Sequence, residues 1–355
     1  MRRIALFLML WGLVACGKQA AIDTITVYEP TAEGDHYVNN AVLTHFQGHF
    51  YCMWQSSATD EDAPDTHLVY SRSRDGRKWS EPQTLVPCTD STFASAGGWI
   101  VAGDTLIAFV NLLSDIQAGG TAHFLLSTDG NIWSDPQPVT MADGTAMNGI
   151  LEQDPHQLPD GRLVGAAHFQ PGLKARPIYT DDPSGRTGWH TGQIEMEDRG
   201  NQSRGIEPSL YLRPDGAIVM LFRDQASSFR KLAAVSTDRG ETWTRPALTD
   251  LTDARSKQCA GNLPDGRAYI VGNPTPAKDR TILAIQWSTD GGSFTEPIPL
   301  RTPADLPPQQ YEGRYKTLGY SYPTAYYHNG RLYISYPENK ERVVITSAPI
   351  PRFGP

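Results

Sequence analysis

Six times along the chain a tight polar turn is followed by a short run of apolar, β-branched or aromatic residues. The turns are Gln47-Gly48, Gly103-Asp104, Asp160-Gly161, Asp215-Gly216, Asp265-Gly266 and Asn329-Gly330. Asp-Gly and Asn-Gly favour hairpins whose central residues need positive φ, and the runs after them, such as Leu163-Val164 and Ile218-Val219, suit strands. A second motif keeps step with the first. It reads Ser73-Arg74-Asp75-Gly76 before Trp79, Ser127-Thr128-Asp129-Gly130 before Trp133, Ser236-Thr237-Asp238-Arg239-Gly240 before Trp243, and Ser288-Thr289-Asp290-Gly291 before Phe294. A degenerate copy, Thr180 to Gly185, precedes Trp189. From Trp79 to Trp133, Trp189, Trp243 and Phe294 the steps are 54, 56, 54 and 51 residues. A fixed period of that size signals stacked or radial units. Six hairpin-rich units predict an all-β chain folded as a six-bladed β-propeller of four-stranded blades across residues 25–350. The last unit lacks the serine motif, but residues 342–346 supply a strand. Residues 25–28 are expected to complete that blade and close the ring, which removes exposed sheet edges.

Ahead of the repeats, Met1-Arg2-Arg3 is basic, residues 4–14 are apolar, and Leu13-Val14-Ala15-Cys16 follows. The apolar run is too short to span a bilayer and has the layout of an export signal. The four-residue ending resembles a bacterial lipobox. That resemblance implies a signal peptide over 1–16 with a lipidated Cys16, a linker over 17–24 and a tail at 351–355. Gly17 is not the aspartate of an inner-membrane retention signal, so the expected location is the cell envelope, at the outer membrane, with the lipid as the sole membrane contact.

Composition narrows the functions. Of 355 residues 39% are hydrophobic and 20% charged, a balance suited to a large folded core, while 32 glycines and 27 prolines disfavour long helices. A net charge of −8 argues against a nucleic-acid partner bound by phosphate neutralisation. It leaves anionic sugars open, because a few local arginines can outweigh the global balance. With Cys16 set aside, Cys52, Cys88 and Cys259 show no zinc-ligand spacing, and no EF-hand loop occurs; no metal or cofactor is expected.

The Ser-x-Asp-(x)-Gly-x-x-Trp units resemble the Asp-box of the sialidase superfamily, with full spacing only in the third copy. In that light other residues gain meaning. Glu207 lies in Arg204-Gly205-Ile206-Glu207-Pro208, and Arg223 ends the next apolar run. This segment resembles the one that carries the partner of the superfamily's nucleophile and one arginine of its carboxylate clamp. Arg280 matches a further clamp arginine. Tyr322, in Gly319-Tyr320-Ser321-Tyr322-Pro323, stands where the nucleophilic tyrosine is placed, and Asp62 is the counterpart of the acid/base aspartate. The chemistry is coherent. A phenol becomes a useful nucleophile when a carboxylate takes its proton, and the planar fork of arginine grips a carboxylate through two hydrogen bonds. The first-blade Arg-Ile-Pro of sialidases has no counterpart: His36-Tyr37-Val38-Asn39-Asn40-Ala41 stands in its place.

A second resemblance, to secreted sialidase-like propellers of glycan degraders, is carried by Leu221 to Gln225, Ala254 to Asn262 and Tyr336 to Glu341. That group includes enzymes that remove rhamnose from glucuronate, and its active members carry a first-blade histidine near the position of Asn40. It implies Arg204, Arg255, Lys257 and Asn40 as further substrate contacts. The expected partner is the end of an acidic oligosaccharide or polysaccharide. Three functions remain open: hydrolysis of a terminal linkage, lyase or rhamnosidase action on rhamnosyl-glucuronate ends, and glycan binding without catalysis.

Overall fold

The computed structural model describes residues 22–115 and 119–351. Cys16, the leader and residues 352–355 lie outside them. Six antiparallel blade sheets follow one another along the chain; in the first five the strands add in sequence order from the inside outwards, and a two-stranded ribbon, Asp198–Arg199 with Gln202–Ser203, lies between blades 3 and 4 in sequence. Blade 1 comprises Tyr37–Phe46, His49–Ser57, His67–Ser73 and Gln83–Val86. Blade 2 opens with Phe93–Ala102 and Thr105–Asp115. Blade 3 is built on Leu163–Phe169 and Lys174–Thr180, its inner edge broken into Gly149–Ile150 and His156–Gln157. Blade 4 comprises Gly205–Leu212, Ile218–Asp224, Arg230–Ser236 and Ala247–Thr252. Blade 5 runs from Cys259–Asn262 to Ile298–Arg301.

Blade 6 closes the ring as its sequence predicts. Thr324–His328, Arg331–Glu338 and Arg342–Pro349 form its first three strands, and Asp23–Tyr28 is the outermost, with Ile25 opposite Ile345. Apolar clusters sit between neighbouring blades. Val42 and Met53 of blade 1 pack on Ala108 and Val110 of blade 2, while Val343 and Ile345 of blade 6 pack on Leu43 and Trp54 of blade 1. The same alternation of sides along each strand joins every adjacent pair, so the ring is held by burial between blades.

Chain direction gives the ring two unlike faces. The first strand of a blade begins, and the second ends, at one face, here called the mouth. The Asp-Gly hairpins between those strands lie at the other. The serine-aspartate turns join third to fourth strands and therefore also lie away from the mouth. Their aspartates cap backbone amides: Asp290 Oδ1 accepts from Gly292 N and Ser293 N at 2.8 Å each and from Ser288 Oγ at 2.9 Å. These bonds hold its carboxyl down at about 2. Gly240, at φ 90°, supplies the conformation the third turn needs, and its carbonyl receives Trp243 Nε1 at 2.9 Å. The motifs are structural fasteners of the blades.

Candidate active site

Three blades begin with a residue turned out of the strand ladder. Asn40, Glu207 and Tyr322 have φ of 49°, 51° and 49°, in the left-handed region that non-glycine residues seldom enter. Pro208 and Pro323 follow two of them and cannot donate to the ladder. The register jumps accordingly, from Ile206 opposite Arg223 to Ser209 opposite Leu221, and from Asn39 opposite Gln55 to Val42 opposite Met53. Such bulges re-aim side chains, and here they aim them into a cavity of about 310 Å³ in the mouth. Asn40, Glu61, Asp62, Glu152, Glu207, Arg223, Lys257 and Tyr322 all line it.

The centre of the site is a short hydrogen bond. Tyr322 Oη donates to Glu207 Oε1 at 2.5 Å. Arg223 Nη1 reaches both Glu207 oxygens at 2.9 Å and lies 3.4 Å from the phenol oxygen. Burial alone would raise the Glu207 carboxyl, but the Arg223 charge and the Tyr322 hydroxyl outweigh it and hold it well below the usual carboxylate range. Burial and the charge of Glu207 push the Tyr322 phenol upward, against the pull of Arg223 and Arg280. At neutral pH the pair rests as phenol and carboxylate, poised for one proton transfer. Cations crowd the tyrosine ring: Lys340 Nζ is 5.2 Å, Lys257 Nζ 5.6 Å and the Arg280 guanidinium 5.7 Å from its centroid. They favour negative charge developing on the phenol oxygen.

The other predicted residues fall into place unevenly. Lys257, fully buried, donates to Asn40 Oδ1 at 2.5 Å and to the Glu152 carbonyl at 2.7 Å. A lysine from blade 5 thus brings a positive charge to Asn40, in the stretch that stands where sialidases carry their first-blade arginine. Arg280 is steadied by Ser321 Oγ at 3.3 Å and by the Arg255 carbonyl at 3.2 Å. Arg255 hydrogen-bonds Gln225 and feels the charges of Arg223 and Arg280, so three guanidinium groups gather beside Glu207. Asp62 lines the cavity, as expected of a proton donor to a leaving group. Arg204 does not join the site. Its guanidinium is engaged by Asp224 at 3.0 Å and Glu197 at 2.9 Å, and it braces the rim in place of contacting substrate. His36 stacks on Tyr311 at 3.7 Å and does not line the cavity.

Sequence reasoning missed four groups. Lys340 pairs with Glu61 at 2.8 Å, and Glu61 also accepts from Asn39 at 2.9 Å. Glu152 and His168 stand behind Glu207. A usable signal existed for Lys340 alone, in the polar run Glu338-Asn339-Lys340-Glu341 between two strands of blade 6. Among the described residues no group of three or more His, Cys, Asp or Glu is placed to hold a metal ion.

A family model described as a BNR repeat-like domain matches residues 48–334. Comparison with curated protein sequences finds no match. Several solved structures share the fold. A protein of unknown function from Dyadobacter fermentans superposes with a TM-score of 0.70 at 14% identity, over 93% of this chain and 99% of its own. The intramolecular trans-sialidase of Ruminococcus gnavus, bound to oseltamivir carboxylate, gives 0.69 at 13% identity, over 92% and 97%. The sialidase of Trypanosoma rangeli in complex with sialic acid gives 0.62 at 14% identity. There the match covers 92% of this chain but 56% of the other, so this chain spans little more than half of that enzyme.

Proposed function

The chain belongs to the BNR repeat-like domain family, and from that premise we propose that it is a glycan-active enzyme cutting a terminal linkage of an acidic glycan. The observation that carries this reading is the 2.5 Å bond from Tyr322 to Glu207, chelated by Arg223 inside a cavity open at the mouth. In the hydrolytic route Tyr322 Oη attacks the anomeric carbon while its proton passes to Glu207, and Asp62 protonates the departing oxygen. Asp62, now a carboxylate, then takes a proton from a water whose oxygen displaces the tyrosyl oxygen, and Glu207 returns the proton to the phenol. A neutral nucleophile avoids the repulsion that a carboxylate would meet from an acidic sugar. Arg223, Arg255 and Arg280 supply the countercharge, and the acid ligands of the Trypanosoma and Ruminococcus proteins suit such a setting. The same reading has the chain exported and tethered through Cys16 in the cell envelope.

One observation favours a second route, that of a lyase. The guanidinium groups of Arg223, Arg255 and Arg280 gathered beside Glu207 suit a uronate carboxylate, whose neutralisation makes the adjacent proton acidic enough to remove. The test is incubation with sialylated, rhamnosyl-glucuronate and uronate-rich glycans, followed by product mass and near-ultraviolet absorbance. A hydrolase yields the intact sugar; a lyase yields an unsaturated uronate, lighter by one water. Tyr322→Phe and Glu207→Gln are each expected to cut kcat by roughly 10²–10⁴-fold. Wild-type turnover by both variants removes the pair from the mechanism.

A further inference from the structure

Glu207 is held by its backbone as well as by its carboxylate. The bulge takes its N–H out of the ladder, and that N–H donates to His168 Nε2 at 3.0 Å. Its carbonyl accepts from Gln258 Nε2 at 3.2 Å. A left-handed non-glycine residue is strained and persists only where its surroundings over-determine it. Here the surroundings are a histidine from blade 3 and a glutamine from the start of blade 5.

The hydrogen bond fixes the chemistry of the ring. A backbone N–H can only donate, so Nε2 presents its lone pair and the neutral ring carries its proton on Nδ1. Nδ1 faces Glu152 Oε1 at 3.5 Å, and among the described residues no closer acceptor meets it. His168 is 2% exposed, which leaves water little access to either nitrogen.

We propose that His168 is a positioning residue. In the Nδ1–H tautomer that the Glu207 N–H imposes, it uses Nε2 to hold Glu207 in the left-handed turn that delivers the carboxylate to Tyr322. This rests on the reading of Tyr322 and Glu207 as the reacting pair. The lone pair is what the turn requires, because a side chain with no acceptor at that point leaves the buried Glu207 N–H unpaired. Asp154 and His156 share with His168 a small cavity of about 50 Å³ beneath the site, and the cross-strand partners Ile150 and Ala175 are apolar.

Two substitutions test the assignment. Glutamine offers an acceptor oxygen in place of Nε2, so His168→Gln is expected to keep most of the wild-type kcat. His168→Leu offers no acceptor and is expected to lose about 10²-fold in kcat with KM little changed, the scale of a misplacement near 1 Å. A His168→Gln enzyme as impaired as His168→Leu overturns the proposal, as does a His168→Leu enzyme with wild-type kcat. A third measurement needs no substrate. In ¹⁵N-edited NMR of histidine-labelled protein at pH 7, the ring signals lost in His168→Gln should show a protonated Nδ1 and a bare Nε2; a protonated Nε2 overturns the proposal. If the wild type turns over no glycan, the NMR result still decides the tautomer, and what fails is the reading of the pair.

Discussion

Arg223 and Glu207 form an ion pair that solvent barely reaches, with side chains 14% and 7% exposed. Removing one partner of such a pair strands the other charge, which costs about 3–5 kcal/mol. Arg223→Met is therefore expected to lose about that much stability at pH 7 in urea unfolding. The sign with pH follows from the carboxylate. Glu207 is held at about 2 when folded, against about 4.5 for an ordinary glutamate. Its stabilising contribution is full above about pH 4.5 and disappears as pH falls toward 2. The gap between wild type and Arg223→Met should narrow over that window; a gap that stays constant contradicts the assignment. Glu207 and Tyr322, the hydrogen-bonded pair at the centre of the site, were legible in the sequence because each carries a local mark, the proline that follows it. The pairings that support them were not. Lys340 meets Glu61 across 279 positions and Lys257 meets Asn40 across 217, and no local pattern encodes such pairings. Arg204, near Glu207 in sequence, lies just before the strand Gly205–Leu212 and is drawn to Glu197 and Asp224 instead.

At the scale of the element, the blades were legible almost throughout, because hairpin turns and serine-aspartate fasteners are short-range devices. Ser236, Asp238 and Trp243 make one turn whose bonds all fall within a few residues. The inner edge of blade 3 was less so. Its first strand is split into two-residue pieces, and Gln153 bonds instead to the Pro208 and Gln258 carbonyls of blades 4 and 5. The fasteners lie away from the mouth, so stability and chemistry should separate there. Trp243, 7% exposed, packs with Val164 and Leu210 between blades 3 and 4. Trp243→Ala is expected to cost about 3–5 kcal/mol in denaturant unfolding while leaving kcat/KM of the folded protein unchanged. A loss of kcat/KM without loss of stability contradicts the division.

For the whole molecule, closure depends on a strand from the far end of the chain. Deleting residues through Tyr28 bares the backbone edge of Arg342–Pro349 and removes Val27 from the cluster joining blades 6 and 1. The shortened protein is expected to melt at a lower temperature and to associate through that edge, read by thermal unfolding and light scattering; an unchanged Tm and a monodisperse sample contradict this. The same strand decides how the molecule stands. Asp23 enters on the side of the hairpins and Tyr28 leaves toward the mouth, since Asp23 pairs with Ser347 near the end of its neighbour. The described chain thus enters at the floor of the ring, and the proposed tether at Cys16 would join it on the side away from the mouth, leaving the opening unobstructed.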